Sequence, residues 1–245
     1  MPFFGLASGH GSVSEQDGML LIDSGVNYGV FNIAMFAGAV GDEDALRRRL
    51  ATAGQFYEQQ KTRWSLWVCD DLITPLRNRA GAIFAEKGLR RLTEAPGMLA
   101  ERLRPPDRLL PEVECRAVAD AATRADFAHA TSLNFDIPFG TCKLVYGGEE
   151  AWRHAYHGFV GYWRGIPVTT TAAVVAAGAI GIYSVGTLQH HRRKGYAEAL
   201  VRQVIAHYRR ETGIERTVLQ ATRAGYDMYR KMGYRDVGHF SVYMT

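Results

Sequence analysis

Apolar and polar positions alternate with two periods along the second half of the chain. In GYAEALVRQVIAHYRR, residues Ala197, Leu200, Val201, Val204, Ile205 and Tyr208 recur at helical spacing and form one apolar stripe. Glu198, Arg202, Gln203 and His207 fall between them and suit the polar face. EVECRAVA (112–119) predicts a strand, 120–133 a helix and 148–157 a second, short one. GFVGYWRGIPV, TTTAAVV and IGIYSVGT predict three successive strands, with AAGA as the turn before the last. RTVLQAT (216–222) predicts a strand. Residues 225–232 predict a short helix closed by Gly233, a natural glycine after a helix end, and DVGHFSVYMT a final strand.

The first half repeats part of this pattern. FAEKGLRRL (84–92) parallels YRKMGYRDV (229–237), SLWV (65–68) parallels TVLQ (217–220), and DEDALRRRLATAGQFYEQQ parallels the 195–210 helix. Strand-like MLLID and FNIAMFAG precede it. The pattern reads as two copies of one α/β unit, the first lacking the opening strand and two helices. The expected boundary lies in RLRPPDRLLPE (102–112), where Pro105, Pro106 and Pro111 prevent regular structure. This gives a truncated domain over 1–108 and a complete one over 109–245.

One feature opposes the helix that follows it. Arg192, Arg193 and Lys194 directly precede the helix start at Gly195. A helix N-terminus is electropositive and its first N–H groups lack partners, so a basic residue there costs roughly 0.3–1 kcal/mol. A phosphate among these residues would accept the free N–H groups and neutralise the cations, and Gly195 would let the backbone approach it. In the first copy this loop is shorter, and Asp42, Glu43 and Asp44 stand in its place. Those are the residues that an unliganded helix start prefers. The comparison predicts an anion site at 192–197; the alternative is a solvated basic loop.

Composition narrows the classes. The chain has 245 residues, 47% hydrophobic and 22% charged, with net charge +4. That is enough for one or two domains with a sizeable core, and a weak basis for nucleic-acid binding. Cys69, Cys115 and Cys142 are odd in number and widely spaced, which argues against a disulfide framework or a structural zinc site. Residues 165–189 carry no charge and are long enough to span a bilayer, but their threonines and glycines read as strands and a turn. The N-terminus has no basic region followed by an apolar run, so no signal peptide is expected. A cytoplasmic protein without membrane, nucleic acid or metal is the expectation. His190 and His191 are adjacent with no third ligand nearby.

SVGTLQHHRRKGYAEAL resembles the strand, loop and helix motif of the GNAT superfamily of N-acetyltransferases, with Arg192-Arg193-Lys194-Gly195-Tyr196-Ala197 on its signature. MYRKMGY (228–234) resembles the family's later helix, and the resemblance covers roughly 112–245. It implies an α/β (α+β) fold of two GNAT-like units, each a mixed, mostly antiparallel twisted sheet flanked by helices, the first unit degenerate. It also implies acetyl-CoA, bound without metal: Arg192, Arg193, Lys194, Gly195, Tyr196 and Ala197 on the pyrophosphate, Val185, Gly186 and Thr187 along the pantetheine, and Thr222 nearby. A backbone N–H of that edge would polarise the thioester. Tyr229 matches the tyrosine that protonates the departing thiolate, and its counterpart in the first half is Phe84. Thr222 and Gln189 depart from the family's usual residues. Phe135 and Asp136 lie in the loop that lines the acceptor site in the family; Asp136, His190 and Tyr183 are candidates for the general base. The acceptor is a small-molecule or peptide amine, and a monomer or homodimer would serve. A non-catalytic acyl-CoA-binding module is the alternative function. A nucleic-acid binder is a third, disfavoured because the basic loop lacks interleaved aromatics.

Overall fold

The computed structural model describes residues 3–7 and 9–245. The architecture is mixed α/β, an open mixed sheet with flanking helices. Packing divides the chain into unit 1, Met1–Pro96 with Gly238–Thr245, and unit 2, Gly97–Val237.

Unit 1 opens with a short helix, α1 (Phe3–Ala7), and the antiparallel strands β1 (Ser12–Gln16), β2 (Met19–Asp23) and β3 (Ile33–Phe36). Helix α2 (Glu43–Gln60) leads to β4 (Ser65–Cys69), parallel to β3, then to α3 (Ala80–Glu86) and β5 (Arg90–Ala100). Leu46, Leu50, Ala53 and Tyr57 of α2 and Ile83 and Phe84 of α3 bury against Met19, Leu21, Ala34 and Leu66 of the strands. β1 has a polar, largely exposed surface, so apolar patterning does not announce it.

Unit 2 contains β6 (Glu114–Ala117), α4 (Ala121–Phe135), α5 (Phe139–Tyr146), β7 (His157–Trp163), β8 (Ile166–Ala176), β9 (Ala179–Thr187), α6 (Tyr196–Thr212), β10 (Thr217–Gln220), α7 (Tyr226–Met232) and the start of β11 (Arg235–Met244). β6, β7, β8 and β9 are successive antiparallel neighbours; β10 lies parallel to β9 and antiparallel to residues 97–100 of β5. The stripe read on α6 is the buried one. Leu200, Val201, Val204, Ile205 and Tyr208 meet Phe159, Ala173, Ile180, Ile182 and Leu219 of the strands.

Local signals explain most boundaries. Asp120 caps α4 by accepting from Thr123 N at 2.8 Å, while the Thr123 hydroxyl bonds back to Asp120 N, a reciprocal capping box. The second helix differs from the expected 148–157. It runs Phe139–Tyr146, set by Pro138 before it and the Gly147–Gly148 pair after it, and Glu150–Arg153 forms only a 3-10 turn. GFVGYWRGIPV is not one strand: Arg164 and Gly165, at φ 51° and 77°, form a hairpin turn, and IPV joins TTTAAVVA in β8. The division between the units falls inside β5, before the proline-rich 102–112 segment, and residues 238–245 return to unit 1 beside β4. Uncharged residues 165–189 are a hairpin turn, β8, β9 and their connections, and no described helix is long and apolar enough to cross a membrane.

Leu200 is completely buried in the cluster that α6 forms with the strands. Leu200→Ala should lower the unfolding free energy by roughly 2–5 kcal/mol in chemical denaturation.

Candidate active site

The site begins where two parallel strands part. β9 and β10 pair only at Ile180 with Thr217 and Gly181 with Val218. β9 continues to Thr187 with a partner on its β8 side alone. Val185, Gly186 and Thr187 are therefore half-buried and have a backbone edge not paired with β10. In unit 1 the parallel pair of β3 with β4 stays in register over Ile33–Met35 and Ser65–Trp67 and leaves almost no such edge.

β9 also bulges. Thr170 pairs with Gly186 but Ala172 pairs with Tyr183, so Ser184 and Val185 stand against the single residue Thr171. Three threonine hydroxyls of β8 hold the bulged strand: Thr169 donates to the Gly186 carbonyl at 2.7 Å, Thr170 to Ser184 at 3.0 Å and Thr171 to Tyr183 at 3.4 Å. A Cβ on Gly186 would fall 2.5 Å from the Asn134 side-chain amide nitrogen. Gly186 thus admits Asn134, the penultimate residue of α4, to the open edge. The Asn134 Nδ2 is buried without a partner.

Beyond Thr187 the chain makes a 3-10 turn at Gln189–His191 and reaches α6. Gly195 is the N-cap residue at φ 93°, a conformation that favours glycine, and no side chain caps the helix. Helix α2 starts the opposite way, with the Asp42 carboxylate accepting from Ala45 N at 2.7 Å. Arg192, Arg193 and Lys194 are exposed at this uncapped start. Arg192 folds back, donating from Nε to the Thr187 carbonyl at 2.9 Å and from its guanidinium to Asn134 Oδ1 at 3.4 Å. Lys194 donates to the His190 carbonyl. Tyr196 is buried, its ring between Trp163 and His191. It and the half-buried Ala197 offer the loop their backbone rather than their side chains.

The loop has a neighbour that sequence reasoning missed. Pro111 Cδ lies 3.0 Å and the Arg108 guanidinium 3.3 Å from where a Gly195 Cβ would be. Arg108 also pairs with Glu198 at 3.8 Å, and Glu198 with Arg202 at 2.9 Å, so the acidic residue of the first turn is buried and neutralised. The proline-rich segment announced a linker, and nothing in its pattern pointed to the α6 start.

After β10, Thr222 is exposed and its carbonyl accepts from the N–H groups of Gly225 and Tyr226. Tyr229 sits one turn into α7. Its ring lies 3.0 Å, and the Thr222 hydroxyl 3.7 Å, from where a Gly225 Cβ would be, so the two predicted residues share one side of this turn. Tyr229 is buried, its ring edge-on to Tyr234 at 5.6 Å. Val185, Tyr226 and Met228 pack on the margin of the core cluster that contains Tyr229. Burial pushes the Tyr229 phenol well above the ordinary tyrosine range. Phe84 lies in α3, buried against Tyr243.

The acceptor-side candidates are less enclosed. Phe135 and Asp136 are exposed at the end of α4, and Asp136 is its C-cap at φ 53°. His190 is exposed. Tyr183 is half-buried, its ring 2.7 Å from a Cβ built on Gly181, and burial raises its phenol too, which makes it a poor base at neutral pH. Among the described residues no cluster of histidine, cysteine and carboxylates could hold a metal ion, and all three cysteines are free thiols.

Tyr229 should not ionise in the usual range, because burial disfavours the phenolate and raises its pKa. The phenolate absorbance gained around pH 10 should therefore be the same in the parent and in Tyr229→Phe. A smaller amplitude in the variant would place that hydroxyl in solvent.

Residues 118–234 match the family model described as Acetyltransferase (GNAT) family. No curated protein matches by sequence. Among solved structures, the GCN5-related N-acetyltransferase from Kribbella flavida is similar at 20% identity and TM-score 0.68, over 95% of this chain and 88% of that one. The GCN5-related N-acetyltransferase from Sphaerobacter thermophilus is similar at 18% identity and TM-score 0.61, over 94% and 80%. A functionally unknown conserved protein from Staphylococcus epidermidis ATCC 12228 is similar at 14% identity and TM-score 0.60, over 95% and 92%. By its family model across 118–234 and by its fold along nearly the whole chain, this protein is similar to the GNAT acetyltransferases.

Proposed function

We propose that the chain transfers an acetyl group from acetyl-CoA to an amine, using unit 2. The observation that carries this reading is the early parting of β9 from β10, which leaves an open backbone edge running directly into an uncapped, basic helix start. A thioester with a diphosphate tail supplies what both features lack. Pantetheine amides would pair with Val185–Thr187, and the diphosphate would take the first N–H groups of α6 from Gly195 to Ala197 among Arg192, Arg193 and Lys194. Arg192, now bonded to the Thr187 carbonyl, would turn to the phosphate. No metal is required, because the cations and helix dipole neutralise the charge.

The amine attacks the thioester carbonyl, whose oxygen gains charge and is met by a backbone N–H of the open edge. The tetrahedral intermediate gives up the amine proton to water, directly or through a base, and then expels the thiolate. Tyr229 stays protonated because it is buried, so its hydroxyl donates to the leaving sulfur. Thr222, beside it, would bond the pantetheine. Phe135 and Asp136 would border the acceptor.

The N-terminal copy, about 1–108 and joined in packing by residues 238–245, reads as degenerate, with the catalytic domain over 109–245. Its strands β1, β2, β3 and β4 follow the order of β7, β8, β9 and β10. Its helix start is self-capped and its tyrosine position holds Phe84, so it has the scaffold without the site. An acyl-CoA-binding module without turnover is the competing reading, separated by whether thiol is released with any amine.

Acetyl-CoA at a hundred times its dissociation constant should stabilise the protein by about 2.7 kcal/mol, seen as a rise in the melting temperature. Gly195→Glu and Lys194→Glu should each remove that rise; Lys194→Glu needs no change of backbone conformation. No rise in the parent at saturating acetyl-CoA would end this reading. Tyr229→Phe should keep the binding shift and slow thiol release by about 10²-fold; an unchanged rate would assign the proton to another donor.

A further inference from the structure

Ser184 occupies a position that a serine seldom holds. It is the first residue of the β9 bulge, at φ 48°, where a glycine is the usual occupant of this type of bulge. An L-residue there is strained and persists only if its surroundings hold it. The Tyr156 hydroxyl lies 2.6 Å from Ser184 Oγ. The Tyr146 hydroxyl comes within interaction range of the same serine. Both tyrosines are buried, in a ring of aromatic contacts with Phe127 and Trp152 supplied by α4, α5 and the 150–153 turn. The Trp152 indole in turn donates to the Tyr146 carbonyl at 2.9 Å. The Thr170 hydroxyl holds the Ser184 carbonyl from the other side.

The bulge sets which way the end of β9 faces. Ile182 packs against the α6 core. Regular alternation would put Ser184 and then Gly186 on that same face. The extra residue instead places Val185 against the core and turns the Ser184 hydroxyl to the two tyrosines. A strand that loses the bulge slips by one residue, and its side chains and amides change sides.

We propose that Tyr146 and Tyr156 are positioning residues: through Ser184 they lock the bulge and so aim the 185–187 backbone at the acyl group. The inference rests on the acetyl-CoA reading above, and the tether makes a separate claim about backbone strain that can be tested without activity. Glycine adopts φ 48° freely, so the tether is needed only while the residue is not glycine.

The test uses Ser184→Ala, Ser184→Gly, Tyr156→Phe and the double variant Ser184→Gly/Tyr156→Phe in the full chain. Melting temperatures without ligand come first. Ser184→Gly should melt above Ser184→Ala, the reverse of the order at an ordinary strand position; the ordinary order would overturn the proposal. Next come acetyl-CoA affinity and hydroxylamine-driven thiol release from saturating acetyl-CoA, corrected for the uncatalysed rate. Ser184→Ala and Tyr156→Phe should slow release by about tenfold or more, as loosened orientation does, with affinity within about twofold of the parent. Ser184→Gly should recover most of the parent rate, and Tyr156→Phe should cost nothing further in that background. Parent-like release in Ser184→Ala, or equal loss in Ser184→Gly and Ser184→Ala, would overturn the tether. A parent that neither binds acetyl-CoA nor releases thiol would sink the functional reading instead, with the order of melting temperatures still deciding the tether.

Discussion

Backbone N–H and C=O groups must find partners, and the region around β9 is organised by where they do not. Two strands that begin in parallel register separate after two residue pairs. The groups beyond Gly181 on that side of β9 are left for something that is not the β10 strand. β8 cannot relieve them, because it already pairs with the other edge and sends three threonine hydroxyls to the same carbonyl row. The helix that follows adds further unmatched donors, since Gly195 supplies no capping side chain. Open strand edge, glycine cap and three cations are consecutive in the chain. One elongated anionic ligand can satisfy all of them.

Much of this was legible from residue order. The α6 stripe, the cationic run and Gly195 lie where the periodicity and charge placed them, and the Asp42 cap of α2 confirms the contrast between the two helix starts. Gly233, at φ 103°, closes α7 as expected. These features are local: each depends on residues within a turn or two of one another. Helix α5 departs from the expected 148–157 because its interior, FGTCKLVY, is apolar without a clear period, and only Pro138 and Gly147 mark its ends. β1 escaped because an exposed polar strand has no alternation to show.

What could not be read is non-local. Nothing in the sequence says that Asn134 meets Gly186, that Arg108 reaches Gly195, or that Tyr146 and Tyr156 converge on Ser184. Left-handed backbone at a serine is invisible to any pattern that expects glycine there. Phe135 and Asp136 show the limit from the other side: their loop was found, and both side chains stand in solvent at the end of α4, so their part in any acceptor pocket rests on position alone.

The strand exchange has a consequence for biosynthesis. β4 of unit 1 takes its antiparallel neighbour from Phe240–Met244, which follow the whole of unit 2 in the chain. Until those residues are made, β4 offers one unmatched edge carrying Leu66, Trp67 and Val68, an apolar template for another chain. Unit 1 therefore cannot mature ahead of unit 2 in the usual order of emergence, although all its other strands are made first. A nascent chain stalled after α7 would have every predicted acetyl-CoA contact and still lack a strand of its first unit, leaving it exposed to chaperones and proteases.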